Sequence, residues 1–193
     1  MNTSSILSSS HDRATSAGNM FNVLGLLALC AALAIAFYYQ LALRELPCPL
    51  CLLQRAGLIL TGIGLMLNIR FGVKSAHYGV ALAGALATGM VALRQVLLHI
   101  APGDAGYGST FMGLHFYTLA ALSSLAAMAG IALLLMLKTW EPPARNPAWK
   151  SLGGKLAGIL FILLVAGNLV STVLECGAGA CEDNPSFYQL LGK

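Results

Sequence analysis

Two cysteines lie three residues apart in the segment LPCPLC, residues 46–51. A Cys-x-x-Cys pair can close a small disulfide ring, and a helix N-terminus next to it favours the thiolate, the nucleophile in thiol–disulfide exchange. Arg55 follows four residues after Cys51, on the same helix face, where its charge favours a thiolate or an anionic partner. The spacing predicts redox chemistry at Cys48 and Cys51. A structural disulfide, or half of a zinc site that needs about four ligands, is the alternative.

Cys176 and Cys181 form a second pair, separated by the four small residues Gly-Ala-Gly-Ala. Such a linker bends freely, and the acidic neighbours Glu175 and Glu182 disfavour a thiolate. The pattern indicates a flexible, exposed and easily reduced disulfide that shuttles electrons. A disulfide that only stabilises the tail is the alternative. The remaining cysteine, Cys30, lies within an apolar run and is interpreted as a buried apolar residue.

The amino-acid composition indicates that these cysteines belong to an integral membrane protein. The chain has 193 residues, of which 58% are hydrophobic and only 9% are charged, whereas a soluble domain carries roughly 25% charged residues. So few charges could not cover a globule with polar surface. The formal net charge of +4 is not gathered on one basic face, which excludes nucleic-acid binding.

Five segments are apolar over about the 20 residues that a spanning helix needs. The sequence therefore predicts an all-α integral membrane protein with five transmembrane helices. They lie within Ala14–Leu43, Leu50–Ile69, Ser75–Leu98, Thr110–Leu137 and Leu156–Leu174. Residues 1–19 are polar and lack the apolar core of a signal peptide, so we expect a disordered cytoplasmic lead. Residues 20–174 then form the bundle, and residues 175–193 form a periplasmic tail.

The placement of Lys and Arg predicts the orientation, because cytoplasmic connectors carry the excess of positive charge. With the N-terminus in the cytoplasm, seven Lys and Arg residues lie inside and four outside. Five crossings then place the C-terminus outside. Both cysteine pairs lie on that same outer face.

Three further polar residues lie near the outer ends of the third and fourth helices: Arg94, His99 and His115. Arg94 is costly in lipid and is expected to face protein, a polar cavity or the interface. These groups could hydrogen-bond a quinone carbonyl or relay its protons. Snorkelling of Arg94 toward the interface is the alternative explanation for that residue.

The chain resembles the DsbB-type disulfide bond formation proteins of bacterial inner membranes. The resemblance rests on Cys48, Cys51 and Arg55 at the start of the second helix, on a second outward cysteine pair and on short loops, and it covers about residues 21–187. It departs from the family in one respect. The family keeps its second pair in the loop between its third and fourth helices, but here that loop, residues 102–109, has no cysteine.

The resemblance implies a four-helix core that reoxidises a soluble, periplasmic, DsbA-like dithiol oxidase of thioredoxin fold. Two electrons would pass to a membrane quinone, either ubiquinone or menaquinone. By position, Cys51 would face the quinone, Cys48 would exchange with the Cys176–Cys181 pair, and Arg55 would lie beside the quinone. We therefore expect a quinone-dependent protein-disulfide oxidoreductase of the inner membrane, with no metal.

Two other functions fit the same residues. One is a quinone reductase of the vitamin K epoxide reductase type, which runs the reaction in reverse and which only the redox potentials separate from the first. The other is a non-catalytic membrane scaffold with two structural disulfides. A metal transporter is disfavoured, because no acidic or His-rich path crosses the predicted helices.

Overall fold

Long helices make up most of the chain. The computed structural model describes residues 3–137, 148–177 and 179–192, with only the backbone described for residues 3–17 and 137. The helices are α1 (Thr3–Ala42), α2 (Pro49–Phe71), α3 (Ser75–Leu98), α4 (Phe116–Leu137) and α5 (Leu152–Cys176). Within the described residues, each helix contains a stretch long and apolar enough to cross a membrane. The predicted all-α membrane bundle is therefore confirmed.

The first cysteine pair begins α2. Cys48 has an extended backbone, and its sulfur accepts a hydrogen bond from the backbone N–H of Cys51 at 3.2 Å. Pro49 then occupies the first turn, where its missing N–H costs nothing. At the other end, Gly72 has φ of 90° and its N–H donates to the Asn68 carbonyl. The Cys-Pro-x-Cys sequence is thus the N-terminal cap of the helix as well as its redox motif.

The fifth helix is longer than the sequence predicts. Ser151 caps α5 by accepting a hydrogen bond from the Gly154 N–H at 3.1 Å, so the helix begins at Leu152, after a short 3-10 turn at Ala148–Lys150. It ends at Cys176, with Gly177 at φ of 61°. The second cysteine pair therefore starts on the last residue of α5 rather than in a free tail.

The first helix also begins before its membrane segment. Its backbone is helical from Thr3, where the sequence predicts a disordered lead through residue 19, and the stretch apolar enough to span a membrane starts at Gly18. The division into lead, bundle and tail stays a prediction.

Two glycine–threonine contacts hold α2 close against α3. A Cβ on Gly57 would collide with Thr88, and one on Gly84 would collide with the backbone and side chain of Thr61. The close approach requires the missing side chains. It brings the buried residues of α3 within reach of the cysteines on α2.

Polar groups also join the helices at the end of the bundle remote from the cysteines. Asn22 of α1 donates to the Tyr78 hydroxyl at 2.9 Å, and Asn68 of α2 donates to the Asn22 side-chain oxygen at 3.0 Å. All three side chains are buried. Because lipid offers no hydrogen bonds, such groups pair inside the protein and fix the relative positions of α1, α2 and α3.

The connection between α3 and α4 carries a small antiparallel ribbon, β1 (Thr110–Phe111) and β2 (Leu114–His115). Met112 and Gly113 make its turn, both with positive φ. The ribbon displaces the start of α4 to Phe116, from the region beginning at Thr110 in which the sequence predicts it. Two-residue strands leave no alternating pattern in a sequence, so nothing there indicated the ribbon.

Candidate redox site and ligand cavity

The first cysteine pair is a disulfide at the N-terminus of α2. The Cα atoms of Cys48 and Cys51 lie 5.0 Å apart. Cys48 is only 5% exposed, while Cys51 is partly exposed and faces the cavity described below. The two sulfurs therefore have different surroundings, one enclosed by protein and one open to a ligand.

One buried glutamine lies against the enclosed sulfur, and a second one holds it there. Gln95 of α3 directs its amide nitrogen at the Cys48 sulfur, 3.5 Å away, and at the Cys51 sulfur, 3.9 Å away. Its side-chain oxygen accepts a hydrogen bond of 2.6 Å from the amide of Gln54 on α2. The spacing along the sequence does not connect Gln95 with the cysteines, which lie more than 40 residues earlier. The intramembrane position of its amide was the only signal.

Arg55 is tied to α1. Its guanidinium donates to the Gln40 side-chain oxygen at 2.6 Å and to the Ala36 carbonyl at 3.3 Å, and it lies 5.7 Å from the centre of the Phe37 ring. Gln40 in turn donates to Ser171 of α5 at 2.6 Å. The charge that the sequence places beside Cys51 is thus oriented by a hydrogen-bond chain through α1.

A cavity of about 720 Å³ contains both Cys51 and Arg55 in its walls. Residues of α1, α2 and α4 form most of its wall, and its volume falls in the range of small-molecule sites. Most of the wall is apolar or aromatic, and Gln54, Tyr107 and Tyr117 add polar groups. This lining fits a flat, largely apolar molecule with a few oxygen acceptors.

The other predicted ligands lie outside the cavity wall. Arg94 is exposed. His99 pairs with Asp104 at 3.2 Å and stacks on Tyr117 at 5.6 Å. His115 also stacks on Tyr117, with the ring centres 5.1 Å apart. Both histidines therefore touch a residue of the wall, whereas Arg94 is not brought into the site, and ligand roles for the three stay predictions.

The α3–α4 connection forms part of the cavity wall, through residues 106–108 and Phe111. Asp104 accepts hydrogen bonds from the Gly106 N–H and from His99, in that order of effect, and these bonds hold the pKa of its carboxyl below the usual value. They therefore stabilise the turn at pH values above the ordinary pKa of an aspartate, and this stabilisation is lost as the pH falls through the lowered pKa. The turn is intact at neutral pH.

Two side chains join this connection to the residues that precede Cys48. Glu45 accepts hydrogen bonds from the backbone N–H and the hydroxyl of Ser109, the first at 3.1 Å. Tyr107 donates its hydroxyl to the Leu46 carbonyl at 3.1 Å. Burial, aided by the charges of Glu175 and Glu45, raises the pKa of Tyr107, so its hydroxyl stays a donor at neutral pH.

The second cysteine pair is more enclosed than the sequence indicates. Cys176 and Cys181 form a disulfide with their Cα atoms 4.5 Å apart, and Cys176 is 5% exposed. The tail folds back on α5, since the Leu190 N–H donates to the Leu174 carbonyl at 3.1 Å. The segment between Cys181 and Leu190 borders the cavity, where Asn184 and Pro185 form part of the wall. The tail and Cys51 therefore meet at one site.

Glu175 directly precedes Cys176 and is close enough to Arg55 for the two charges to interact. It is 2% exposed, and its oxygens have no hydrogen-bond partner among the described residues. Its charge acts on Arg55.

Within the described residues, no three His, Cys, Asp or Glu side chains are grouped as a metal site.

Comparison with known proteins assigns the chain to a family. The family model for the disulfide bond formation protein DsbB matches residues 18–174. The chain belongs to the DsbB family. It is a multi-pass membrane protein of the disulfide bond formation class, with the first cysteine pair inside the matched region. The match ends two residues before Cys176, so the second pair lies beyond it.

Individual relatives match over a shorter length. The chain is 38% identical over 87 residues to proteins named disulfide bond formation protein B from Xanthomonas axonopodis pv. citri and Xanthomonas campestris pv. campestris. Each match covers 42% of this chain and 51% of the relative, so it spans about half the length of these proteins. No solved structure matches the chain.

Glu45→Ala is expected to loosen the attachment of the α3–α4 connection to the residues that precede Cys48. Loss of a hydrogen bond is worth about 1 kcal/mol, so reduction of the Cys48–Cys51 disulfide by a water-soluble phosphine should become about fivefold faster. The rate is followed by alkylation and mass spectrometry. Glu182→Ala removes an exposed acid from the tail and serves as the control. Equal rates for Glu45→Ala and the unaltered protein would show that the connection does not restrict access.

Proposed function

We propose that this protein is a quinone-dependent protein-disulfide oxidoreductase that reoxidises a DsbA-like dithiol oxidase. The observation that supports it best is the cavity, whose wall contains Cys51, Arg55 and the tail residues Asn184 and Pro185. A redox sulfur, a cation and the segment next to the second disulfide thus surround one ligand-sized space. A scaffold has no need for such a space beside its disulfide.

The first transfer takes place at the tail. A thiolate of the partner attacks one sulfur of the Cys176–Cys181 disulfide, that S–S bond breaks, and the other tail sulfur leaves as a thiolate. The partner's second thiolate then attacks its own sulfur in the mixed disulfide. The partner leaves oxidised, and the tail keeps two electrons as a dithiol.

The second transfer takes place at the start of α2. One tail thiolate attacks Cys48, and Cys51 leaves as a thiolate facing the cavity. The second tail thiolate then closes the tail disulfide and expels Cys48. The Arg55 charge and the N-terminus of α2 both favour thiolates at this end of the helix. The Cys48–Cys51 pair now holds the two electrons.

The cavity suits a quinone as the final acceptor. Its aromatic and aliphatic wall matches an apolar ring and tail, while Arg55, Gln54 and Tyr117 offer hydrogen bonds to ring oxygens. A bound quinone would accept two electrons and two protons when the Cys48–Cys51 disulfide re-forms. Arg55 would hold the acceptor oxygen and stabilise negative charge developing there.

The orientation completes the proposal. Arg70, Lys74, Lys150 and Lys155 lie in the connections and helix ends remote from the cysteines, and such positive charges stay in the cytoplasm. The cysteines then face the periplasm from the bacterial inner membrane. That compartment contains the thiols that such an oxidase would receive.

Turnover is the direct test of the relay. Purified protein supplied with a soluble quinone and a reduced thioredoxin-fold oxidase is expected to consume quinone, followed by its ultraviolet absorbance. Cys48→Ala and Cys51→Ala should each abolish this consumption, because no disulfide can re-form. Cys30→Ala, which alters a cysteine buried in the core, is the control and should retain it. A protein that consumes no quinone, or consumes it equally in all variants, is not this enzyme.

Arg55→Ala is expected to weaken quinone use more than folding. Hydrogen bonds to charged groups contribute about 1.5–3 kcal/mol, so the KM for quinone should rise at least tenfold, while both disulfides and monodisperse elution persist. Lys150→Ala removes an exposed cation from the opposite end of the bundle and should leave KM unchanged. Normal quinone kinetics in Arg55→Ala would remove the residue from the proposed site.

Labelling from each side of the membrane tests the orientation. In intact cells treated with a reductant, a membrane-impermeant maleimide is expected to label Cys176 and Cys181 from the periplasm. Cys30, buried in the bundle core, should stay unlabelled and shows that labelling requires an exposed thiol. Labelling of the tail cysteines only after cells are opened would invert the proposed orientation.

A further inference from the structure

The glutamine pair beside Cys48 has a defined direction. Gln54 donates to the Gln95 oxygen at 2.6 Å, so the Gln95 acceptor is occupied and its nitrogen is left to face the sulfurs. Gln95 is 1% exposed and Gln54 is 5% exposed. Burying two amides in a lipid-facing bundle is costly unless they are bonded. A pair that only satisfied itself would not need to direct a donor at a disulfide.

Cys48 receives two hydrogen bonds from the protein. The Cys51 backbone N–H lies 3.2 Å from the Cys48 sulfur, and the Gln95 amide nitrogen lies 3.5 Å from it. The same amide is farther from Cys51, at 3.9 Å. A disulfide sulfur is a weak acceptor, whereas a thiolate is an ionised one and its hydrogen bonds are roughly twice as strong. Both donors therefore gain strength when Cys48 becomes a thiolate.

We propose that Gln95 is a catalytic residue whose amide donates a hydrogen bond to the Cys48 sulfur and stabilises Cys48 as the departing thiolate. Gln54 is the positioning residue that holds the Gln95 amide in the donating direction. The assignment deepens the proposed relay and rests on it for the identity of the attacking thiol. The stabilisation of reduced Cys48 itself depends on neither the quinone nor the partner.

The step that Gln95 assists is the release of the tail. In the mixed disulfide, one tail cysteine is bonded to Cys48 and the other is a thiolate. This thiolate attacks the bonded tail sulfur, the tail disulfide forms, and the bond to Cys48 breaks with its electron pair on the Cys48 sulfur. No proton is needed for that departure, because the two N–H donors stabilise the negative charge.

Arg55 does not replace this contact. Its guanidinium is engaged by Gln40 and the Ala36 carbonyl on α1, and it borders the cavity with Cys51. The structure thus divides the stabilisation of the two thiolates between different groups. Gln95 and the helix N-terminus act on Cys48, and Arg55 acts on the side of Cys51 and the ligand.

Redox equilibration of the full-length protein tests the proposal. The protein is equilibrated in glutathione buffers, and the fraction of each cysteine pair that is reduced is measured by alkylation and mass spectrometry. Gln95→Met keeps the length of the side chain and removes the donor. It is expected to lower the equilibrium constant for reduction of Cys48–Cys51 roughly tenfold, which corresponds to about 30 mV for two electrons.

Three comparisons give this shift its meaning. The Cys176–Cys181 pair in the same sample should keep its equilibrium constant. Gln54→Met should shift the Cys48–Cys51 constant in the same direction by a smaller factor, because Gln95 loses its orientation. Asn168→Leu removes another buried amide, bonded to Leu164 of its own helix, and should shift neither pair.

Gln95→Asn keeps an amide on α3 and shortens the side chain by one methylene, so it remains usable if Gln95→Met does not fold. It should also lower the Cys48–Cys51 constant, because the donor no longer reaches the sulfur. Unchanged constants in the folded Gln95 variants would overturn the proposal. If the Gln95 variants show the expected fall in the Cys48–Cys51 constant but the unaltered protein consumes no quinone, the role of Gln95 is supported and the proposed oxidase function is contradicted.

Discussion

Polar side chains inside a lipid-facing bundle must find their hydrogen-bond partners within the protein, because the membrane interior offers none. This constraint organises the half of the bundle that contains the cysteines. Gln40 joins Arg55 to α5, and Gln54 joins Gln95 to α2. Each glutamine is buried and each contact crosses between helices. The directions of the Arg55 charge and of the Gln95 donor follow from these bonds. As a result, the Cys48 sulfur lies next to Gln95, whereas Cys51 shares the cavity wall with Arg55.

The same constraint explains how the second cysteine pair reaches the site. The α3–α4 connection has no cysteine and forms part of the cavity wall. Glu45 and Tyr107 bind it to the residues before Cys48. The second pair instead begins on the last residue of α5, a helix that packs beside α1 and whose Ser171 bonds to Gln40. The fifth helix thus carries the second disulfide to the end of the bundle where the tail borders the cavity.

The enclosure of Cys176 changes the interpretation of the tail. Small residues between the two cysteines indicated a freely exposed shuttle, yet the tail is held at both ends. Cys176 is attached to α5, and Leu190 bonds back to Leu174. The segment that passes the cavity, with Asn184 and Pro185, lies between these two attachments. In the proposed relay, exchange with Cys48 would therefore involve a local movement of a segment attached at both ends and not the diffusion of a loose one.

The sequence by itself determined the membrane class, the five helices, the cysteine motif and Arg55 one turn beyond Cys51. Those features depend on apolar length and local spacing, which are readable along the chain. It did not predict the ribbon before α4 or the start of α5 at Leu152, because two-residue strands and a capping serine leave little pattern. Only the tertiary structure decided which polar side chains meet. It paired Gln54 with Gln95 against Cys48, brought the tail to the cavity and left Arg94 outside, because those contacts depend on how helices distant in sequence pack and rotate against one another.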